Sequence, residues 1–510
     1  MSILPGFGLT DKPGILETTL VLVTCRWHRC SDTINYMERE KPSLEELFSP
    51  RGVAVVGASP LEGGSFATGV VQSLKEAGFS AIYPVNPKYS EVSGLPCYPS
   101  LRAIPGVVDH VVVGIPAESV LALLDDCTAK GVKSVHLFTA GFSESGYRER
   151  AELESAILNK ARVGGFRIIG PNCVGLFVPK NHLVTTMGMS LEPGAIAFIS
   201  QSGGHAQNLP FFTGPRGLRF SKVVSYGNTL DVDESELLQY FSQDPETKII
   251  AAYIEGVKNG RRFLGALKEA AAQKPVVICK GGTTEAGKRA AHGHTASLTS
   301  SVAVFNALCR QLKTIQVDDM EELIDVLVAL CFVTPLPRGT GVAVVGTGGG
   351  PSVLASDEME KAGLQLPCFS TEIQAELKQF LPIAGAIFSN PVDATTLLSP
   401  KAIFATMRVV SKVPDIHMLI YHLGFYPVSR WGARQLYSTN FLQPVVDALV
   451  QVQQETGKPV LLALRPPPDL RGMKDFLAAQ GAFVTARFPV FYSLRQAAKA
   501  MARVVAWNQA

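Results

Sequence analysis

"VAVVGASPLEGGSFATGVVQSL", residues 53–74, decides the fold. An unbroken apolar run ends at a glycine, small residues follow, and a helical period then begins. Strand, Gly-rich turn and helix in that order present backbone N–H groups and a helix N-terminus to a phosphate. The dinucleotide fingerprint would be GxGxxG, yet Gly57 is followed by Ala58 and Ser59, and the next glycines are Gly63 and Gly64. NAD enzymes also place an acidic residue about 20 positions further on. This chain has "YPVNPKY" instead, residues 83–89, with Lys88 after the second strand. A cation there suits a ligand with an extra phosphate, so NADP or coenzyme A fits better than NAD. A turn of purely structural use stays open as the alternative.

Working outward, the same alternation continues. "HVVVGI" (110–115), "SVHLFTAG" (134–141) and "FRIIGPN" (166–172) read as strands leading into loops. "AIAFISQSGG" (195–204), "SKVVSYGN" (221–228), "KIIAAYIEG" (248–256) and "PVVICKGG" (275–282) form a second series. A third begins at "GVAVVGTGGG" (341–350) and continues with "MLIYHLGF" (418–425) and "PVLLALRP" (459–466). Strands alternating with helical patterns predict α/β units with parallel sheets. "GVAVVG" occurs at 52–57 and at 341–346, which either marks a related unit in two domains or reflects how alike buried Val/Ala strands look. Turn-rich stretches near Lys180 and Pro335 separate the series. The expected domains are 45–178, 179–335 and 336–510, preceded by an extension, 1–44, expected to be disordered.

A chain of 510 residues exceeds the size of a single core, which agrees with several domains. Net charge is +3 with no Lys/Arg block, so nucleic acid is not an expected partner. "GILETTLVLVTC" near the start is too short for a membrane span and has no basic region before it, so neither a membrane nor a signal peptide is expected. Met37 is an alternative start. The nine cysteines are scattered without a CxxC pair, which predicts reduced thiols in a cytoplasmic protein and no zinc site.

"KRAAHGHTASL", residues 288–298, places His292 and His294 among small and polar residues, and reads as a loop. A metal site would need further ligands that the neighbouring sequence does not offer. "SQSGG" (200–204) lacks the first glycine of GxSxG, so Ser202 is not read as a hydrolase nucleophile. Cys173 is read as a small buried residue.

Taken in order, "LFSPRGVAVVGASP", "YPVNPKY", "GPNCVG", "SQSGG", "DVDESELLQYF", "YIEGVKNGRRF", "EAGKRAAHGHTASL" and "GGGPSVLASDEMEKAGL" resemble the α subunit of ADP-forming acetate–CoA ligase, within the succinyl-CoA synthetase superfamily. The resemblance covers about residues 45–510. It implies a CoA-binding Rossmann-like domain followed by two flavodoxin-like ligase domains. It also implies a phosphohistidine at His294, in a segment where Ala296 replaces the usual glycine, with Glu255 as the carboxylate that fixes the imidazole. Gln201, Ser202, Gly203 and Gly204 would hold phosphate, together with Gly348, Gly349 and Gly350. The CoA contacts would be Gly57, Ser59, Lys88, Ile115, Pro116, Thr139, Gly141, Glu144 and Asn172. His205, after the phosphate glycines, departs from the usual smaller residue.

The family reaction interconverts acyl-CoA, phosphate and ADP with a carboxylic acid, CoA and ATP. ATP or ADP and Mg2+ would sit on a separate ATP-grasp β subunit, in a heterotetramer. The acid itself is not specified by the sequence. The rivals are a non-catalytic CoA-binding scaffold or regulator of the same fold, and an NADP-dependent oxidoreductase, which the altered glycine spacing disfavours.

Overall fold

The computed structural model describes residues 41–60, 65–186, 188–295, 301–347, 349–424, 439–467 and 470–509. The three series of strands build three separate sheets. The first, in spatial order, is Ile82–Val85, Val53–Val56, His110–Val113, Ser134–Leu137 and Arg167–Ile169, all parallel. Its central strands are buried on both faces, which is why they read as continuous apolar runs. The third is also parallel: Val392–Asp393, Val342–Gly346, Met418–Gly424, Val460–Arg465 and Val490–Phe491.

The second sheet has seven strands and is mixed. Ile315–Val317, Val276–Lys280, Ile249–Ile254, Ile196–Ser200 and Phe220–Ser225 run parallel. Leu176–Val178 and Leu183–Val184 then add an antiparallel edge. That edge was not expected. It starts at Leu176, inside the segment 45–178 read from the sequence as belonging to the first unit. The folded body also includes the helix Leu44–Phe48, begun by a capping box between Ser43 and Glu46.

The sheets share their cores. Val53, Val55 and Leu74 of the first unit pack in one apolar cluster with Ile199, Leu237 and Ile250 of the second. Phe198 and Leu323 of the second lie in another with Val344, Ile420 and Met501 of the third. Buried charge crosses the same seams. Arg167, at the edge of the first sheet, donates to Asp231 and Glu236, each at 2.7 Å. Arg216 donates to Asp325 at 2.7 Å and to the Val490 carbonyl at 2.8 Å.

Three buried imidazoles give the fold a pH dependence. His110 is lowered to about 3 by burial and by its neighbour His136. His136 is lowered to about 4 by burial, against its bond to the Cys173 carbonyl, and His422 to about 4 by burial and Arg465. An unfolded histidine titrates near 6.5, so between there and about 4 the unfolded chain binds more protons and stability falls with pH. Glu234, raised to about 7 by burial, works in the opposite sense between 7 and 4.5. Three groups outweigh one. The melting temperature should therefore drop as pH falls from 6.5 to 4, by a stability loss on the order of several kcal/mol. Differential scanning fluorimetry across that range checks it, and a flat profile would contradict it.

Candidate active site

The carboxyl ends of the first sheet's strands form a cavity of about 510 Å³, lined by Gly57, Ser59, Lys88, Ile115 and Pro116 among others. That volume lies in the usual range for a small-molecule site. The turn is built for close approach of three strands. The Gly57 N–H donates to the Val85 carbonyl and the Gly114 N–H to the Val56 carbonyl, at 3.0 and 2.9 Å. Gly57 has φ +96°, and a Cβ there would lie 2.5 Å from the Gly114 oxygen. Thr68 holds Ser59 through two backbone bonds, and the Asn86 amide donates to the Ala58 carbonyl at 2.8 Å. Lys88 is exposed, as a phosphate-seeking cation at a mouth would be. Gly57→Ala would introduce strain of about 1–3 kcal/mol, and denaturant titration should show a stability loss of that size.

Thr139, Gly141, Glu144 and Asn172 do not line that cavity. The Thr139 hydroxyl donates to the Ile115 carbonyl at 2.7 Å, and Asn172 donates its N–H to the Thr139 carbonyl at 3.0 Å. Asn172 follows a cis Gly170–Pro171 bond and has φ 57°. The Glu144 carboxylate accepts from the Gly141 and Phe142 N–H groups at 2.6 and 3.1 Å, and from the Asn228 amide at 2.6 Å. Glu144 was expected to touch CoA. Its oxygens shape their own loop and fasten it to the second unit.

At the carboxyl edge of the second sheet, the strand Ile196–Ser200 turns into the helix Gly203–Thr213, whose N-cap is Ser202. Gly203 and Gly204 open that helix, so N–H groups and the positive end of its dipole point outward there. Gln201, expected among the phosphate ligands, bonds through its side chain to the backbone of the neighbouring strand end. Its oxygen accepts from the N–H groups of Glu255 and Gly256, the latter at 2.9 Å, and its amide donates to the Gly256 carbonyl at 3.0 Å. Its own N–H donates to the Tyr253 carbonyl at 3.2 Å. Gln201 is 3% exposed and acts as a clamp on the Glu255 backbone.

Glu255 itself is buried at the end of the strand Ile249–Ile254. The Tyr253 hydroxyl bonds to its carboxylate, and burial followed by that carboxylate pushes the phenol's pKa up, keeping it a donor. The His205 ring packs against Tyr253 at 4.4 Å. From the next strand, buried Lys280 donates to the Glu255 and Gly281 carbonyls at 2.6 and 2.5 Å. Burial lowers its pKa, and Glu255 opposes that.

The helix Glu285–Thr295 follows, lying against the turn Ser143–Ser145 of the first unit. The backbone is therefore helical through His292 and His294, where a loop was expected. Both side chains, and Ala296, lie outside the described residues, as does Gly348. Gly349 begins the helix Gly349–Ala362, and Gly350 is exposed in its first turn. Ala206 and Leu209 of the first glycine helix and Ala355 and Met359 of the second lie in one apolar cluster.

Sequence reading missed Tyr253, Lys280 and Glu234. A lysine closing an otherwise apolar strand, "VVICK", was the available signal for Lys280. Glu234 has no such mark. Its carboxyl is raised by burial, and it stands near Tyr226, whose buried hydroxyl is pushed well up by burial and then by Glu234 and Glu255. Cys173 is buried and its thiol is raised, in line with a packing role. Among the described residues there is no cluster of three or more metal-ligating side chains, and no helix is long and apolar enough to cross a membrane.

Three family models match in order: a CoA binding domain over 51–179, a succinyl-CoA ligase like flavodoxin domain over 193–330, and a Ligase-CoA domain over 342–464. The class is thus that of CoA-dependent ligases built from a CoA-binding domain and flavodoxin-like ligase domains. The chain is 38% identical to the α subunit of acetate–CoA ligase [ADP-forming] II of Pyrococcus furiosus, over 82% of this chain and 89% of that one. It is 36% identical to acetate–CoA ligase [ADP-forming] I of Archaeoglobus fulgidus, over 74% of this chain but 54% of that longer one. Among solved structures, acetyl-coenzyme A synthetase 1 of Candidatus Korarchaeum cryptofilum, in complex with phosphate and ADP, superposes with a TM-score of 0.74 at 31% identity, covering 91% of this chain and 97% of that one. The chain belongs to the α-subunit family of ADP-forming acetate–CoA ligases.

Proposed function

We propose that this chain is the acyl-transfer subunit of an ADP-forming acid–CoA ligase, working through an acyl phosphate and a phosphohistidine at His294. In the acid-forming direction, a phosphate oxygen attacks the thioester carbonyl, the C–S bond breaks and CoA leaves as thiolate. An imidazole nitrogen of His294 then attacks the phosphorus, the P–O bond to the acyl group breaks, and the carboxylate leaves. The phosphoryl group finally passes to ADP, restoring the imidazole. A neutral imidazole is the prevailing form near pH 7, which suits a nucleophile. Glu255 accepts the proton on the other ring nitrogen, and the helices opened by Gly203 and Gly349 favour the anionic phosphoryl group. The cavity at Gly57, Ser59 and Lys88 takes CoA.

The clamped Glu255 carries this reading. A carboxylate fixed on both sides of its backbone suits an orienting group that must hold one geometry while charge moves. The α-subunit relative of Pyrococcus furiosus, matched over 89% of its length, supports a partner subunit; we place ATP or ADP and Mg2+ on that partner, an ATP-grasp β chain in a cytoplasmic heterotetramer. The test is to incubate the full chain with radiolabelled phosphate and a panel of acyl-CoAs, beginning with acetyl-CoA. Acid-labile protein phosphate that depends on one acyl-CoA would support the route and name the acid. No label with any of them, while CoA binds, would overturn a phosphohistidine on this chain.

A further inference from the structure

The peptide Ile254–Gly256 is held at five backbone polar groups. The Ile254 carbonyl accepts from the Gly281 N–H at 2.9 Å. Gln201 takes the N–H groups of Glu255 and Gly256 and gives its amide to the Gly256 carbonyl. That leaves the Glu255 carbonyl, and Lys280 supplies its partner at 2.6 Å.

Lys280 sits beside Ile254 in the parallel register, and its side chain folds back over the strand end. It is 4% exposed, and the Phe305 ring lies 5.8 Å from its ammonium. A buried ammonium bonded to neutral carbonyls is costly to keep, because carbonyl dipoles do not neutralise it. An anion close by offsets that cost, and the carboxylate of Glu255 is near enough to favour the charged lysine. Gly281 completes the arrangement: a Cβ there would lie 2.6 Å from the Tyr253 hydroxyl and 3.2 Å from Glu255 Cγ.

We propose that Lys280 is a positioning residue for the phosphoryl-transfer step, a buried cation that pins the Glu255 carbonyl from below while Gln201 pins the adjoining N–H groups. It does not touch the phosphoryl group. It acts through Glu255, and so rests on the phosphohistidine reading above. No bond is made or broken at Lys280.

The test uses the full chain and radiolabelled acetyl phosphate as the phosphoryl donor, with rates measured over a donor series. Lys280→Met should slow labelling ~100-fold at saturating donor while the half-saturating concentration stays within about twofold. Calorimetric CoA affinity should be unchanged, since that cavity belongs to the first sheet. Glu255→Gln should slow labelling likewise, and the double variant should be no slower than the slower single one. Full-rate labelling by Lys280→Met, or losses that multiply in the double variant, would overturn the proposal. If Lys280→Met does not fold, Lys280→Gln, which keeps a donor without the charge, carries the same comparison. Hydrogen exchange gives a readout apart from the chemistry: the amides of Glu255 and Gly256 should exchange at least ~10-fold faster in the variant, and unchanged protection would refute the clamp. Should His294→Ala label as well as the unaltered chain, the phosphohistidine reading fails, and the exchange result still decides on Lys280.

Discussion

Replacing His294 by alanine should remove the acid-labile phosphate from this chain, a loss of at least ~10³-fold in phosphoryl transfer, because no second nucleophile would replace it. If the cavity at Gly57, Ser59 and Lys88 takes CoA as proposed, CoA affinity should not change, since every residue lining it belongs to the first unit. His292→Ala is the informative partner variant. The two histidines are two positions apart in the sequence, and only His294 stands in the His-Thr-x-Ser-Leu segment that the family resemblance marks. Labelling should therefore survive in His292→Ala and vanish in His294→Ala. The reverse result would move the nucleophile and leave the rest of the site standing.

Gln201→Leu should have the second-largest effect, and it acts on stability and activity together. Leucine fills a similar volume but leaves the N–H groups of Glu255 and Gly256 and the carbonyl of Gly256 without partners in a buried place. Each such orphan costs about 1–3 kcal/mol. Denaturant titration should show a loss of ~3 kcal/mol or more, and labelling should fall ~100-fold as Glu255 leaves its position. A Gln201 that serves chiefly as a phosphate ligand would instead weaken phosphate binding and leave stability nearly intact. Saturation curves for phosphate separate the two roles.

What was legible in the sequence follows from how local each signal is. The central strands show as apolar runs because both faces are covered, and their glycine turns show because only glycine permits Gly57's φ of +96°. The edge pair Leu176–Val178 and Leu183–Val184 is too short to announce itself, and only its packing against Val223 makes it sheet. Residues 288–298 read as a loop from their small side chains, whereas 285–295 form a helix. Ala, Glu, Lys and Arg are nevertheless good helix formers, and "EAGKRAAH" is rich in them. The bonds of Gln201 to the Glu255 and Gly256 backbone, and of Glu144 to Asn228, leave no trace in the sequence, because each joins residues more than fifty positions apart. Lys280 has the same origin, since the Glu255 carbonyl it bonds lies at the end of the neighbouring strand.

The seam between the first and second sheets limits how this protein can be taken apart. A fragment ending near residue 178 would keep the CoA cavity but strip Val53, Val55 and Leu74 of the aliphatic side chains they pack with. It would leave the Arg167 guanidinium without Asp231 and Glu236, and Glu144 without Asn228. Such a fragment should aggregate rather than serve as a portable CoA-binding module. Anyone transplanting the pocket into another scaffold would have to carry the neighbouring sheet with it, so its heritable unit is larger than the ligand it holds.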